Sequence, residues 1–483
     1  MRITNGIMVN NSLYGINKNK VLYDTLNTQL TSQKKIQRPS EDPIIAIRAL
    51  RLRSTYHEVC MYLDKNIPDA RSWIQCTDDA LSSINSVLTE ITYYCNQGVN
   101  DYNTVQERET LVTTLKQLRE QIFSDGDADL NGNTLFTGYK TDSTLTFQRE
   151  EPDTKYTISQ NITISDVDEM ERVAGLSTDR IVTADQRNIT NTTFHVVKLA
   201  YDNVDTITDI TLTDEEGNET VVAVTVRSKE DFDNRGLSLY TPVTSGAVFV
   251  PETGELLLSD NVYQEVATGS VMKVDYEKTG FVKGDLRPEH YFDCKNETTG
   301  VEYKAADQEI EYTINFNQTI KVNTQARDVL THDLMRDIDE MIYAVQTAVD
   351  AETKLTKLEN DLAVETNEAT KKQIESMITA VRLELSYAED NMGAAFSKGI
   401  TNYQNHQKVL NYELADLGAR LVRLKLNEER LSSQKLNVQN QKSANEEIDV
   451  AAVAVQLKAA SNVYDASLMS ASQIIQNSLL DFL

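Results

Sequence analysis

The stretch "DADLNGNTLFTG", Asp127 to Gly138, has the look of a calcium loop. Asp127, Asp129, Asn131 and Gly132 fit its first, third, fifth and sixth positions. The twelfth position requires a bidentate glutamate, and Gly138 stands there. Asp, Asn and Gly are equally the residues of a turn after a helix, so a turn is expected and no metal. The histidines His57, His195, His290, His332 and His406 are scattered without ligand spacing. Cys60, Cys76, Cys95 and Cys294 show neither CxxC nor zinc spacing. Phosphate-loop, nucleophile-elbow, zinc-protease and dinucleotide motifs do not occur. Neither catalysis nor a cofactor is expected, and any function has to reside in surfaces.

Composition narrows the surfaces. The 483 residues carry 47 Lys+Arg against 74 Asp+Glu, a net charge of −27. Residues 1–60 run the other way, with nine basic and four acidic side chains. No aromatic residues interleave them as a nucleic-acid stripe would require, so no nucleic acid is expected as a partner. No apolar run reaches transmembrane length, and Asn and Gly interrupt the first twenty residues where a signal peptide would be continuous. Membrane insertion is not expected.

Punctuation then divides the chain. All seven prolines lie between Pro39 and Pro288, and no glycine occurs from Val301 to Met392. That breaker-free tract predicts long helices. Leu410, Leu414, Leu417, Leu421, Leu424, Leu431 and Val438 keep a 4-3 heptad rhythm, the mark of a coiled coil. Leu330, Leu334, Ile338, Met341 and Val345 form a second stripe, Ile74, Leu81, Ile84, Leu88, Ile91 and Cys95 a third, and Leu111, Leu115, Leu118 and Ile122 a fourth. The last segment repeats at eleven residues: Leu457, Leu468 and Leu479; Val453, Tyr464 and Ile475; Ala460, Ala471 and Phe482. Such a straight stripe cannot bury itself and needs a partner. Between the helical ends, "ITLTDEEGNETVVAVTVRS" with alternating Val222, Val224 and Val226, and "GAVFVPETGELLLSD", read as hairpins. The expected fold class is α+β. An N-terminal helical arm (1–133) and a C-terminal one (326–483) pack as a long antiparallel coiled-coil core, with a β-rich domain (134–325) inserted between them.

In "SQKKIQRPSEDPIIAIRALRLRS", Ser32 to Ser54, Pro39 stops one helix, Asp42 caps the next and Pro43 occupies its first turn, which makes a helix hinge. Ile44, Ile47, Leu50 and Leu52 form that helix's apolar face.

This stretch resembles the terminal signature of the bacterial axial flagellar proteins, the flagellins and hook-associated proteins. "LNGNTLFTGYKTDSTLTF" (130–147), "LADLGARLVRLKLNEERLSSQKLN" (414–437) and "NSLLDFL" (477–483) are similar to further segments of the family. Thr137 stands where glycine is commoner. The resemblance implies an extracellular structural adaptor at the hook–filament junction, exported unfolded through the flagellar type III route without a cleaved signal. Implied partners are hook-associated protein 1, flagellin subunits, copies of itself in a ring, and an export chaperone. The terminal segments order on assembly, and the expected interface is Ile3, Ile7, Leu13, Ile16, Leu26 and Leu30 against Val453, Leu457, Tyr464, Leu468, Ile475, Leu479 and Phe482. A flagellin, or a coiled-coil binding module with no flagellar role, are the other readings.

Overall fold

A computed structural model describes residues 5–99, 105–174, 189–214, 216–228 and 239–480. Seven long helices lie toward the chain ends: α1 (Asn5–Ser32), α2 (Pro43–Met61), α3 (Ile67–Gly98), α4 (Val105–Gly126), α5 (His332–Val364), α6 (Glu368–Glu446) and α7 (Val450–Leu480). Strands fill the middle, and the class is α+β, as the composition of the segments requires. The chain forms two compact units, residues 1–70, 312–320 and 422–483 in the first, and 71–311 with 321–421 in the second.

In the first unit, α2 and the end of α6 run antiparallel. Asn445 donates to the Ile45 carbonyl, Arg53 clasps Glu446, and Lys435 meets Asp64. Leu424, Leu431 and Val438 are buried at seven-residue steps along this seam. Asp42 Oδ1 accepts from the Ile44 and Ile45 amides, with Pro43 at the first helical position. Asp42→Ala should cost about 1 kcal/mol, seen as roughly fivefold faster hydrogen exchange at those two amides; unchanged exchange would show that water replaces the cap. Lys34 pairs with Glu446 and Glu447, so part of the basic cluster neutralises the end of α6.

The face of α2 departs from the sequence reading. Its inner residues are Ala46, Ala49 and Val59, whereas Ile44, Ile47 and Leu50 are 71%, 55% and 64% exposed and Leu52 is half-buried. Small side chains let α2 approach its neighbour closely, and the larger ones face outward. A π-turn at Tyr62–Asn66 joins α2 to α3. Pro68 follows it, lacking the N–H that an α-turn would aim at Asp64, and the wider turn accommodates its ring.

The second unit contains a helical bundle. Thr89 accepts from Gln407, Ser83 donates to Asp125, Arg108 pairs with Glu352 and Glu389, and Arg119 with Asp339, which ties α3, α4, α5 and α6 together. The third stripe, Ile74 to Cys95, is wholly buried, and Phe396, Tyr403, Leu410 and Leu417 continue the seven-residue seam of α6. Gly98 is needed for closeness: a Cβ there would lie 2.5 Å from the Phe396 ring.

Two large antiparallel-rich sheets and a two-stranded hairpin, Asp129–Leu130 with Asn133–Thr134, are described in the unit. Seven strands pair around Glu151–Ile162 and Val271–Phe281; five pair around Thr190–Lys198, Glu255–Leu258 and Ala247–Val250. The hairpin at Gly254 forms as its sequence predicts. The other hairpin differs at its end. Val222 closes a strand of the larger sheet (Glu219–Val222), but Val224 and Val226 belong to the smaller one. The strand changes sheets at Ala223, whose carbonyl would lie 2.6 Å from a Cβ on Gly246.

Candidate assembly surface

Helices α1 and α7 pair antiparallel within the first unit. Asn19 donates to Ser467 at 2.7 Å, the rings of Tyr23 and Tyr464 stack with centroids 6.4 Å apart, and Leu26, Leu30, Ile448, Val453, Leu457 and Ala460 make one apolar cluster. The facing residues keep 3-4 spacing on both helices. On α1 they are Val9, Ser12, Ile16, Asn19, Tyr23, Leu26 and Leu30; on α7 they are Val453, Leu457, Ala460, Tyr464, Ser467 and Ala471. The intrachain seam keeps a 3-4 rhythm that holds Val453 and Tyr464, and Ala460 and Ala471, from the eleven-residue repeats, adds Ser467 and leaves Leu468 out; its partner is α1 of the same chain. Its small and polar members explain why apolar periodicity did not display it.

Of the residues expected at the interface, Ile16, Leu26, Leu30, Val453, Leu457 and Tyr464 come together along this seam. Ile7 and Leu13 fall off it and are each 49% exposed; Leu468, one position past Ser467, is 43% exposed. Ile3 and Phe482, and the side chains of Ile475 and Leu479, lie outside the described residues. Met8, Tyr14, Val21 and Leu22 on α1, and Val450, Val455, Val463 and Met469 on α7, are also exposed. An apolar groove runs between Leu22, Leu26, Ala459, Ala460 and Val463, opened by the two alanines. So much outward apolar surface on one helical pair makes it the candidate interaction surface of the described residues.

Elsewhere the polar groups that could do chemistry are committed to structure. Asp127 accepts from the amides of Leu145 and Thr146 and from Gln148, and Asp129 from the Gly132 amide across an Asn131-Gly132 turn with positive φ at both residues. Among the described residues no group of three or more metal-ligating side chains is placed to hold an ion. Ser143 lies 3.2 Å from His290 Nε2, the reach of a nucleophile and its base. That nitrogen is also 3.2 Å from the Thr144 carbonyl, which can only accept, so it carries the proton and cannot take one from Ser143. The Ser143 hydroxyl donates to the Lys140 carbonyl instead. A charged cleft lined by Arg119, Lys198, Glu255, Asp339 and Glu340 is likewise crossed by ion pairs. Arg172 joins Glu255 and Glu340, Lys198 joins Glu340, and Arg119 joins Asp339.

Residues 3–141 match the bacterial flagellin N-terminal helical region. Over 149 residues the chain is 27% identical to flagellar hook-associated protein 3 of Salmonella typhimurium and 26% identical to that of Escherichia coli. The chain resembles flagellar hook-associated protein 3. Each alignment takes in 30% of this chain and 45% of the relative, so the chain spans less than half the length of the curated relatives it matches. A solved hook-associated protein 3 from Legionella pneumophila covers 81% of this chain and 96% of its own, at 12% identity and a TM-score of 0.30. The FlgL of Xanthomonas campestris gives 82%, 99%, 10% and 0.28. The assignment rests on the sequence matches. No helix among the described residues is long and apolar enough to cross a membrane.

Proposed function

We propose that this chain is a non-enzymatic structural adaptor of the bacterial flagellum, standing where the hook-associated ring meets the flagellin filament. The observation that carries the reading is the exposed apolar surface of the α1–α7 pair, in a chain whose N-terminal region matches the flagellin type. In this reading the pair forms an inner seam within the chain, and its outer residues Ile7, Leu13 and Leu468 are buried by neighbouring subunits on assembly; Ile3, Ile475, Leu479 and Phe482 are expected in the same interface. Those neighbours are copies of the chain in a ring, hook-associated protein 1 below and flagellin above. In the cytoplasm an export chaperone covers the same face. The chain then leaves unfolded, without a cleaved signal, and the four cysteines, all unbridged, leave no crosslink to obstruct a narrow channel.

The experiment is immunogold electron microscopy of intact cells with an antibody to residues 239–320. Gold in a single cluster at the hook–filament junction supports the adaptor. Label along the filament would make the chain a flagellin, and absence of external label would return it to a cytoplasmic binding module. A second prediction follows from the exposed apolar face. Leu468→Asp places a charge where a neighbour must be desolvated, at a cost of several kcal/mol per interface. Filament attachment should be lost while the purified variant unfolds like wild type; normal filaments in a complemented null strain would refute this.

A further inference from the structure

We propose that the outward face of α2 docks against the acidic surface of a second copy of this chain. Five residues make the face within two helical turns: Ile44, Ile47 and Leu50, all more than half exposed, and the exposed Arg48 and Arg51. Arg53, two residues on, is held by both oxygens of Glu446, yet neither Arg48 nor Arg51 has a side-chain partner among the described residues. A patch of three large aliphatic side chains flanked by two uncommitted guanidinium groups fits a partner that offers carboxylates around apolar contacts.

Charge identifies the partner. Residues of the first unit carry 16 Lys+Arg and 13 Asp+Glu, a balance of +3; the rest of the chain carries 31 and 61, a balance of −30. Every copy therefore presents its neighbours with an acidic surface suited to this face. A symmetric contact of α2 with α2 is disfavoured, because it would set Arg48 and Arg51 against their own copies. The contact is consequently heterologous, basic face to acidic surface, and a heterologous contact repeats around a ring or along a helix. Nucleic acid and anionic lipid also attract arginine, and crosslinks to them are outcomes that the experiment distinguishes. The proposal rests on the adaptor reading only in requiring copies to lie side by side.

The test places the photocrosslinker benzoylphenylalanine at position 50 of the full-length chain in intact cells. Leu50 is exposed, so the variant should fold, and circular dichroism of purified protein checks that it does. Irradiation should give a product of twice the chain's mass, with the crosslinked peptide from residues 71–311 or 321–421. Arg48→Glu with Arg51→Glu should lower its yield roughly tenfold. A crosslink to α2 of another copy, to a different protein, to lipid or nucleic acid, or to nothing, would overturn the proposal. Gold at the junction without this crosslink would leave the adaptor role standing and remove the docking face alone.

Discussion

Glu340→Ala should destabilise the second unit by about 3–5 kcal/mol, the loss expected when one partner leaves a buried ion cluster. Glu340 Oε1 lies 2.7 Å from one Arg172 nitrogen, Oε2 lies 2.9 Å from the other, and Lys198 binds the same carboxylate. Burial alone would raise the Glu340 pKa, but Arg172 and Lys198 together hold it well below the carboxylate range. Lys198 shows the opposite sign for a cation: burial, reinforced by the adjacent Arg172, outweighs Glu340 and lowers its pKa. Removing Glu340 thus leaves Arg172 and Lys198 to share the one remaining carboxylate of the cluster, Glu255, which pairs with Arg172 and lies opposite Lys198 on the neighbouring strand. The amine can shed its proton, and the always-charged guanidinium cannot. Replacing Glu340 by leucine and Lys198 by methionine together should recover much of the loss, because apolar side chains of similar volume need no counter-ion. Urea midpoints measured on the full chain decide the matter. A loss below about 1 kcal/mol for Glu340→Ala would mean the cluster is hydrated and behaves as a surface pair.

None of that cluster was legible in the sequence. Arg172, Lys198, Glu255 and Glu340 are far apart in the chain, and only the strand pairing and the packing of α5 assemble them. What could be read was periodicity carried by large apolar side chains. The stripe from Ile74 to Cys95 and the α6 seam through Leu410, Leu417, Leu424 and Leu431 are buried because a helix places every third or fourth residue on one face. The α1–α7 seam follows the same rule but runs through Ser12, Asn19 and Ser467, which no apolar count registers. Eleven-residue repeats of larger residues drew attention to Leu468, which faces outward, while Ser467 meets Asn19. The same inversion holds on α2, where alanines face in and isoleucines out. In both places small residues are mixed into the inner face of the helix, and large apolar side chains are left on the outer face. That is the pattern of a subunit whose outer surface is finished by other molecules.

Mild acid should loosen the second unit before its ion-paired carboxylates Glu340 and Glu255 begin to titrate. Burial, with Lys140 and Arg287 adding their repulsion and Glu289 opposing, lowers the His290 pKa from 6.5 to about 4. The unfolded ring takes a proton near pH 6.5, whereas the folded ring stays neutral until about pH 4. Over that window the unfolded state binds more protons, so stability falls as pH falls, by about 3 kcal/mol in all from this one group. His332, its pKa also lowered by burial, acts with the same sign. The depressed carboxylates of Glu340 and Glu255 contribute stability that is complete above their unfolded range and is lost below about pH 4.5, so they extend the decline rather than begin it. His290→Gln keeps an N–H donor for the Thr144 carbonyl and removes the titrating ring. Its urea midpoint should lie somewhat below that of wild type at pH 7 and change much less between pH 6.5 and 4.5. If both proteins lose the same stability across those values, His290 takes up its proton in the folded unit as readily as in the unfolded chain, and its burial does not set the decline.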